Sequence, residues 1–348
     1  MSNIAASNEE MMDLARKIAA NSRHSARPNP WVGAVVLTPT GEVATGATDV
    51  PGKGHAEAIA LGKLGDRAKG ATMWVTLEPC AHWGRTPPCT ERIIAAGIER
   101  VVISVGDPDI KVNGLGIKAL RDSGIEVLCG VGARDTIEEL LPYLVSRSFA
   151  RPFVTLKLAM TLDGFIAAPD HSSKWITGPL ARERVQEIRA DHDAIVVGAG
   201  TIRYDNPRLD VRLSDRTRSP ISPRRIVLGS IDQGAAVLPA DAWAGAITEL
   251  LGKLRAQGVI SVMVEGGATV AHSFLWESLV DQFHLFIAPK LLGGSQGVRL
   301  FEGMGAASIA EAIDMKLSAS RTHGQDTELV LVSSRLAKLK ESLVDRNA

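Results

Sequence analysis

The sequence predicts a chain of two α/β domains, and three observations carry this. The chain has 348 residues, of which 45% are hydrophobic, enough for two cores of ordinary domain size. Short apolar and β-branched runs alternate with stretches of helical periodicity, the pattern of sheets covered by helices. Near residue 150 a helical stretch runs into Arg151-Pro152, and a new apolar run begins at Phe153. The boundary is placed there, giving domains 1–150 and 151–348.

In the first domain, Ser7 or Asn8 can cap a helix whose apolar positions are Met11, Met12, Leu14, Ala15, Ile18 and Ala19. Asn29-Pro30 leads into an apolar strand at 31–37, ended by the turn Thr38-Pro39-Thr40-Gly41. Residues 42–48 return as a neighbouring strand. His55 opens a helix to about Leu64, and 72–77 is a β-branched strand that delivers Cys80. Pro87 and Pro88 precede Cys89 at the start of a helix over 90–96, where proline is well placed. Strands at 101–105 and 125–128, with a helix at 116–122 between them, complete the sheet. A helix at 136–150 closes the domain. Cys129, at a strand end without ligand neighbours, reads as packing.

The chemistry of this half gathers in Gly54-His55-Ala56-Glu57, Glu78-Pro79-Cys80 and Pro87-Pro88-Cys89. One imidazole and two thiols are the ligand types zinc prefers, and three protein ligands leave a position open. Glu57, two residues after His55, is placed to move protons without binding the metal. Histidine, a non-ligand glutamate and a later Pro-Cys…Cys form the signature of zinc-dependent base deaminases, in which the metal acidifies water for attack on an amine-bearing ring carbon. Two helix N-termini are expected to converge there and to favour thiolates. His82 is a possible fourth ligand, which would make a closed structural site instead. Many deaminases place two residues between the cysteines; here there are eight.

The second domain opens on the stretch from Phe153 to Gly164, which begins as a strand. Trp175-Ile176-Thr177-Gly178 leads into a helix at 179–190, and a buried strand at 193–197 ends in the turn Gly198-Ala199-Gly200-Thr201. Residues 203–225 hold seven arginines, either a solvated basic loop or recognition of phosphates by arginine's planar fork. A strand at 260–264 leads through Glu265-Gly266-Gly267 into a helix at 270–278. Strand, glycines and helix is how backbone N–H groups are aimed at a phosphate, although Gly-x-Gly-x-x-Gly spacing is absent. A late strand lies at 283–289, and residues from Lys338 onward read as a frayed polar tail.

Gly84-Arg85-Thr86-Pro87-Pro88-Cys89, Arg27-Pro28-Asn29-Pro30-Trp31-Val32-Gly33 and Thr201-Ile202-Arg203-Tyr204-Asp205-Asn206-Pro207-Arg208-Leu209 resemble the bifunctional riboflavin-biosynthesis deaminase–reductases over about residues 12–334. That resemblance implies a cytidine-deaminase-like three-layer α/β/α domain followed by a dihydrofolate-reductase-like α/β domain. It implies Zn2+ held by His55, Cys80 and Cys89, with Glu57 catalytic. It also implies NADPH contacts at Ala159, Trp175, Thr201, Asp205, Ser230, Gly267, Ala268, Thr269, Val270, Ala271, His272 and Ser273. Substrate contacts are implied at Asn29, Lys157, Ser173, Arg189, Leu209, Arg212 and Glu265. Asn29 reads equally as a turn residue, and Lys157 as a surface-strand lysine. The implied reactions are hydrolytic deamination of the diaminopyrimidine phosphoribosyl substrate, then reduction of its ribose to a ribityl chain.

Composition narrows the partners. Basic and acidic residues number 39 each; the first 150 residues hold 16 and 17, leaving 23 and 22. Neither half has the basic excess of a nucleic-acid binder, so a small-molecule substrate is expected. Three cysteines fit a reducing compartment. No basic-plus-apolar start and no run of about 18 apolar residues appears, so the expectation is a cytoplasmic enzyme. A homo-oligomer is possible. The rival functions are a nucleoside- or tRNA-editing deaminase fused to an unrelated domain, and a non-catalytic zinc-stabilised module.

Overall fold

A computed structural model describes residues 7–84, 86–212, 219 and 222–345. The described residues up to Ala150, together with those from Lys338 onward, form one compact unit, and Arg151–Ala337 forms the other. The first unit runs α1 (Asn8–Ala20), β1 (Gly33–Leu37), β2 (Val43–Ala47), α2 (Ala56–Leu64), β3 (Thr72–Leu77), α3 (Cys89–Ala95), β4 (Arg100–Val105), α4 (Leu115–Asp122), β5 (Glu126–Cys129) and α5 (Ala133–Phe149). Ser7 begins α1 with a capping box: the Glu10 N–H donates to Ser7 Oγ at 3.2 Å, and the Ser7 N–H to Glu10 Oε2 at 2.7 Å.

The sheet order is β2-β1-β3-β4-β5, with β1 antiparallel to both neighbours and β3, β4 and β5 parallel. Strand alternation sends helices to both faces. On one face Met11, Met12 and Ala15 of α1 pack with Val35, Trp74 and Val102. On the other, α2 rests directly on β2 at Gly46, where an added Cβ would lie 2.0 Å from the Ala56 carbonyl oxygen. Only glycine permits that approach. The result is the expected three-layer arrangement.

The second unit runs β6 (Phe153–Thr161), β7 (Phe165–Ala167), α6 (Pro179–Ala190), β8 (Ala194–Gly198), α7 (Ala199–Asp205), β9 (Arg224–Leu228), β10 (Asp241–Trp243), α8 (Ile247–Ala256), β11 (Ser261–Val264), α9 (Ala268–Trp276), β12 (Gln282–Ala288), β13 (Val298–Arg299), β14 (Met315–His323) and β15 (Asp326–Ser333). Its eight-stranded order is β10-β9-β8-β11-β6-β12-β15-β14. The first six strands are parallel, and β15 and β14 close the sheet antiparallel. The central strands are apolar on both faces. Val154, Val196 and Val262 pack with Phe274 and Leu250 on one side, while Ile195, Val197 and Met263 pack with Val185 and Ile188 on the other.

Two expectations are corrected. The stretch from Lys338 onward is not a frayed tail belonging to the second half. α10 (Ser334–Asp345) runs through it, buries Leu343, and brings Lys340 into an ion pair with Glu138 of α5. The residues Gly198-Ala199-Gly200-Thr201 are not a free turn, because α7 begins at Ala199.

Candidate active sites

His55 is the N-cap residue of α2, β3 delivers Cys80, and Cys89 is the first residue of α3. Three separate segments thus meet at their ends. The ligand atoms of these three residues all lie within 4.8 Å of one another, the one such group among the described residues. His55 Nδ1 is 3.2 Å from Cys89 Sγ and 3.7 Å from Cys80 Sγ, and the Cys89 N–H points at Cys80 Sγ at 3.4 Å. Hydrogen bonding from the Cys89 thiol, aided by His55, holds Cys80 at about 4 despite its burial. Cys89 is pushed up by the neighbouring Cys80 and by burial. A divalent cation bound here would favour the thiolate form of both cysteines. This nitrogen-and-two-sulfur donor set fits zinc. Glu57, 4% exposed, follows in the first turn of α2, and burial raises its carboxyl above the ordinary range.

His55, Cys80 and Glu57 line a cavity of about 610 Å³ that also takes in Asn29, His82, Asp107, Tyr143 and Arg147. His82 lines the cavity and stands outside the three-residue ligand group. Glu78, treated in the sequence only as part of the Cys80 motif, is buried and organises the cavity wall. Its Oε2 accepts N–H bonds from Asp107 (3.2 Å) and Gly114 (3.1 Å), and its Oε1 from Gly116 (2.9 Å) and Ile117 (3.1 Å). The same strand that presents Cys80 therefore fixes the loop that carries Asp107 and Asp109. Burial pushes Asp107 up to about 6, although it accepts bonds from Tyr143 Oη and the Asp109 N–H. Nothing in one-dimensional spacing marks these contacts.

In the second unit the expected residues collect at the C-terminal ends of the parallel strands, where open α/β sheets bind ligands. Lys157 and Ala159 come from β6, Thr201 and Asp205 from α7 after β8, Ser230 follows β9, and Glu265 follows β11. Gly267 is the N-cap residue of α9, whose first turn holds Ala268, Thr269, Val270 and Ala271. Gly266 has no room for a side chain, since an added Cβ would lie 2.6 Å from Val270 Cβ. A Cβ on Gly267 would be 3.9 Å from Thr201 Oγ1, so the two helix starts are neighbours. Ser173 Oγ donates to Asp205 Oδ1 at 2.9 Å, and Trp175 is exposed beneath the Arg182 guanidinium at 4.6 Å. Further along α9, His272 pairs with the Met304 carbonyl at 2.8 Å and stacks on Trp276, and Ser273 donates to the Thr269 carbonyl.

Arg189 and Glu265 face each other. They form a buried two-pronged ion pair, Nε to Oε1 at 2.8 Å and Nη2 to Oε2 at 3.0 Å, and Arg189 Nη1 also donates to the Asp210 carbonyl. Arg189 holds Glu265 down below the carboxylate range against its burial, while burial lowers Lys157 beside it. Leu209 is buried in left-handed backbone, and Arg212 is half-exposed and 3.3 Å from Asp210. Of the arginine run, Arg224 is engaged by Asp241 and Gln257, and Arg225 by the Val237 carbonyl. Arg216 and Arg218 lie outside the described residues.

A histidine–dicysteine group beside a buried glutamate, on a three-layer α/β/α unit, defines a zinc-dependent base deaminase. The second unit adds a parallel-sheet ligand edge. The comparisons agree with both halves. Residues 5–105 match the family model for the cytidine and deoxycytidylate deaminase zinc-binding region, and residues 152–329 match the RibD C-terminal domain. The chain is 37% identical to the riboflavin biosynthesis protein RibD of Bacillus amyloliquefaciens, covering 93% of this chain and 96% of that protein. It is 35% identical to RibD of Escherichia coli, covering 94% and 99%. The solved structure of Acinetobacter baumannii RibD superposes with a TM-score of 0.83 at 32% identity over 93% of this chain and 98% of that one. The Thermotoga maritima diaminohydroxyphosphoribosylaminopyrimidine deaminase/5-amino-6-(5-phosphoribosylamino)uracil reductase gives 0.81 at 33% identity over 94% and 98%. The chain belongs to the RibD family: it is a bifunctional enzyme of riboflavin biosynthesis, with a zinc-dependent deaminase and an NADPH-dependent reductase.

Proposed function

We propose that the first unit deaminates diaminohydroxyphosphoribosylaminopyrimidine at the His55–Cys80–Cys89 group. The second unit then reduces the ribose of the resulting 5-amino-6-(5-phosphoribosylamino)uracil, giving 5-amino-6-(5-phosphoribitylamino)uracil. The observation that carries the reading is the convergence of the three ligand atoms, with His55, Cys80 and buried Glu57 lining one cavity. Its volume falls within the range of roughly 300–1,000 Å³ typical of small-molecule sites. Zinc, when bound, supplies the Lewis acidity that makes water a nucleophile near neutral pH. Glu57 carries the two protons of that water in turn, the first to the ring nitrogen and the second to the departing amine, while the oxygen stays on the ring carbon; its burial beside the donor set supports the role. Asn29 orients the pyrimidine.

NADPH, when bound, supplies the two electrons of the second step. Thr201, Asp205, Ser230 and the Gly267–Ser273 segment cradle it, with Ala159 and Trp175 alongside. Ser173, Leu209 and Arg212 receive the phosphoribosyl substrate. Lys157 polarises the opened ribose, and Glu265, oriented by Arg189, takes its hydroxyls. The even charge balance supports a small substrate rather than a nucleic acid. No helix among the described residues is long and apolar enough to cross a membrane, and the low cysteine count supports a cytoplasmic setting. The test is to supply the diaminopyrimidine phosphate with and without NADPH and to follow ammonia and NADPH separately. Ammonia release independent of NADPH, followed by NADPH consumption, is expected; NADPH consumption without prior ammonia release would reverse the assigned order.

A further inference from the structure

The mechanism leaves unused one wall of the deaminase cavity, built by α5. Tyr143 and Arg147 lie one turn apart on that helix and both line the cavity. Tyr143 is buried, and its hydroxyl donates to Asp107 Oδ2 at 2.9 Å and lies 3.2 Å from Oδ1. Its ring is therefore clamped. The Arg147 guanidinium carbon sits 5.1 Å from the centroid of that ring, and Nη1 lies 3.3 Å from Asp109 Oδ2. A stacked ring and one carboxylate thus hold the guanidinium in place, while its side chain keeps 34% of its surface. Lys53 and Lys111 also line the cavity as exposed, flexible cations. A guanidinium held beforehand loses less freedom on binding an anion than a lysine does, and its planar fork matches a phosphate.

The structural alternative is that Arg147 merely staples α5 to the 107–109 loop. A staple would be served by the Asp109 pair alone, and a pair this exposed contributes little. Its location in the wall of a catalytic cavity is what points to a ligand. We infer that Arg147, seated on Tyr143, is a specificity-determining residue of the deaminase that binds the substrate's 5-phosphate. This rests on the deaminase reading above.

The test crosses two deletions: Arg147→Met in the protein, and removal of the phosphate from the substrate. Ammonia release is measured for wild type and variant with the phosphoribosyl substrate and with its dephosphorylated ribosyl counterpart, alongside zinc content. Loss of a charge-assisted contact is expected to lower kcat/KM about thirtyfold for Arg147→Met on the phosphorylated substrate. The variant and wild type should agree within about threefold on the dephosphorylated one, because the partner is then already gone. Zinc should stay at about one ion per chain. Should Arg147→Met fail to fold, Arg147→Lys keeps the charge without the fork and should lose about tenfold on the phosphorylated substrate only. Equal losses on both substrates, or none on either, overturn the inference alone. No ammonia from either substrate with wild-type protein overturns the deaminase reading and this inference with it.

Discussion

Glu57 shows how much one side chain carries when its surroundings are fixed. It is buried, it follows the His55 ligand within one helical turn, and it is outside the ligand group. Glu57→Gln preserves shape and metal ligands but cannot carry a proton. Deamination is expected to fall by about 10²–10⁴, with zinc content and the reductase rate unchanged, in parallel assays of ammonia, metal and NADPH. Asp107 gives a pH signature at the same scale. Its folded value of about 6 stands above the ordinary 3.8, so the neutral form is favoured by folding. Its contribution to stability is fully present below about pH 4 and is lost as pH rises through 6, a difference of about 3 kcal/mol. Denaturant unfolding of the deaminase unit at pH 5 and pH 7.5 should show this slope, and Asp107→Asn should flatten it. An unchanged slope in the variant would assign the dependence elsewhere.

At the scale of elements, the site is held by contacts that keep helix ends against strand ends. α2 carries His55 and Glu57, and it lies on β2 because Gly46 has no side chain. Gly46→Ala would set a methyl group 2.0 Å from the Ala56 carbonyl oxygen, so α2 must shift. A loss of about 1–3 kcal/mol is expected, together with weaker zinc binding, measured by unfolding and by competition with a chelator. Wild-type zinc affinity in this variant would show that α2 does not need that seat. Two elements that hold the metal were legible because each has a local signal, the β-branched run ending at Leu77 and the prolines before Cys89, and the Ser7 cap marked the packing helix α1 in the same way. The β14–β15 hairpin and β9 were not. β14 is largely exposed and lacks an apolar run, and β9 opens with Arg224-Arg225 inside the basic stretch. α8 could have been found, since Ile247, Leu250, Leu251 and Leu254 follow helical spacing. α10 reads as a tail in the sequence because Lys338, Lys340 and Glu341 mask the apolar anchors Leu336 and Leu343.

At the scale of the whole molecule, the two chemistries sit in units with separate cores. The deaminase core lies around α1, β1, β3 and β4, whereas the two reductase cores draw only on residues of the second unit. Ligand types, their spacing and the family-like loops made the bifunctional assignment legible. Pairings distant in sequence were not, because Glu78 with Gly116, Arg189 with Glu265 and Tyr143 with Asp107 are created only by folding. The central claim is that the His55–Cys80–Cys89 group is a zinc site serving deamination alone. The most direct test strips the metal from the intact chain with a chelator and assays both reactions, supplying 5-amino-6-(5-phosphoribosylamino)uracil and NADPH for the second. The metal-free protein should release no ammonia yet still oxidise NADPH, and about one zinc ion per chain should restore deamination. Normal ammonia release without metal, or loss of the supplied reduction when zinc is removed, would contradict it.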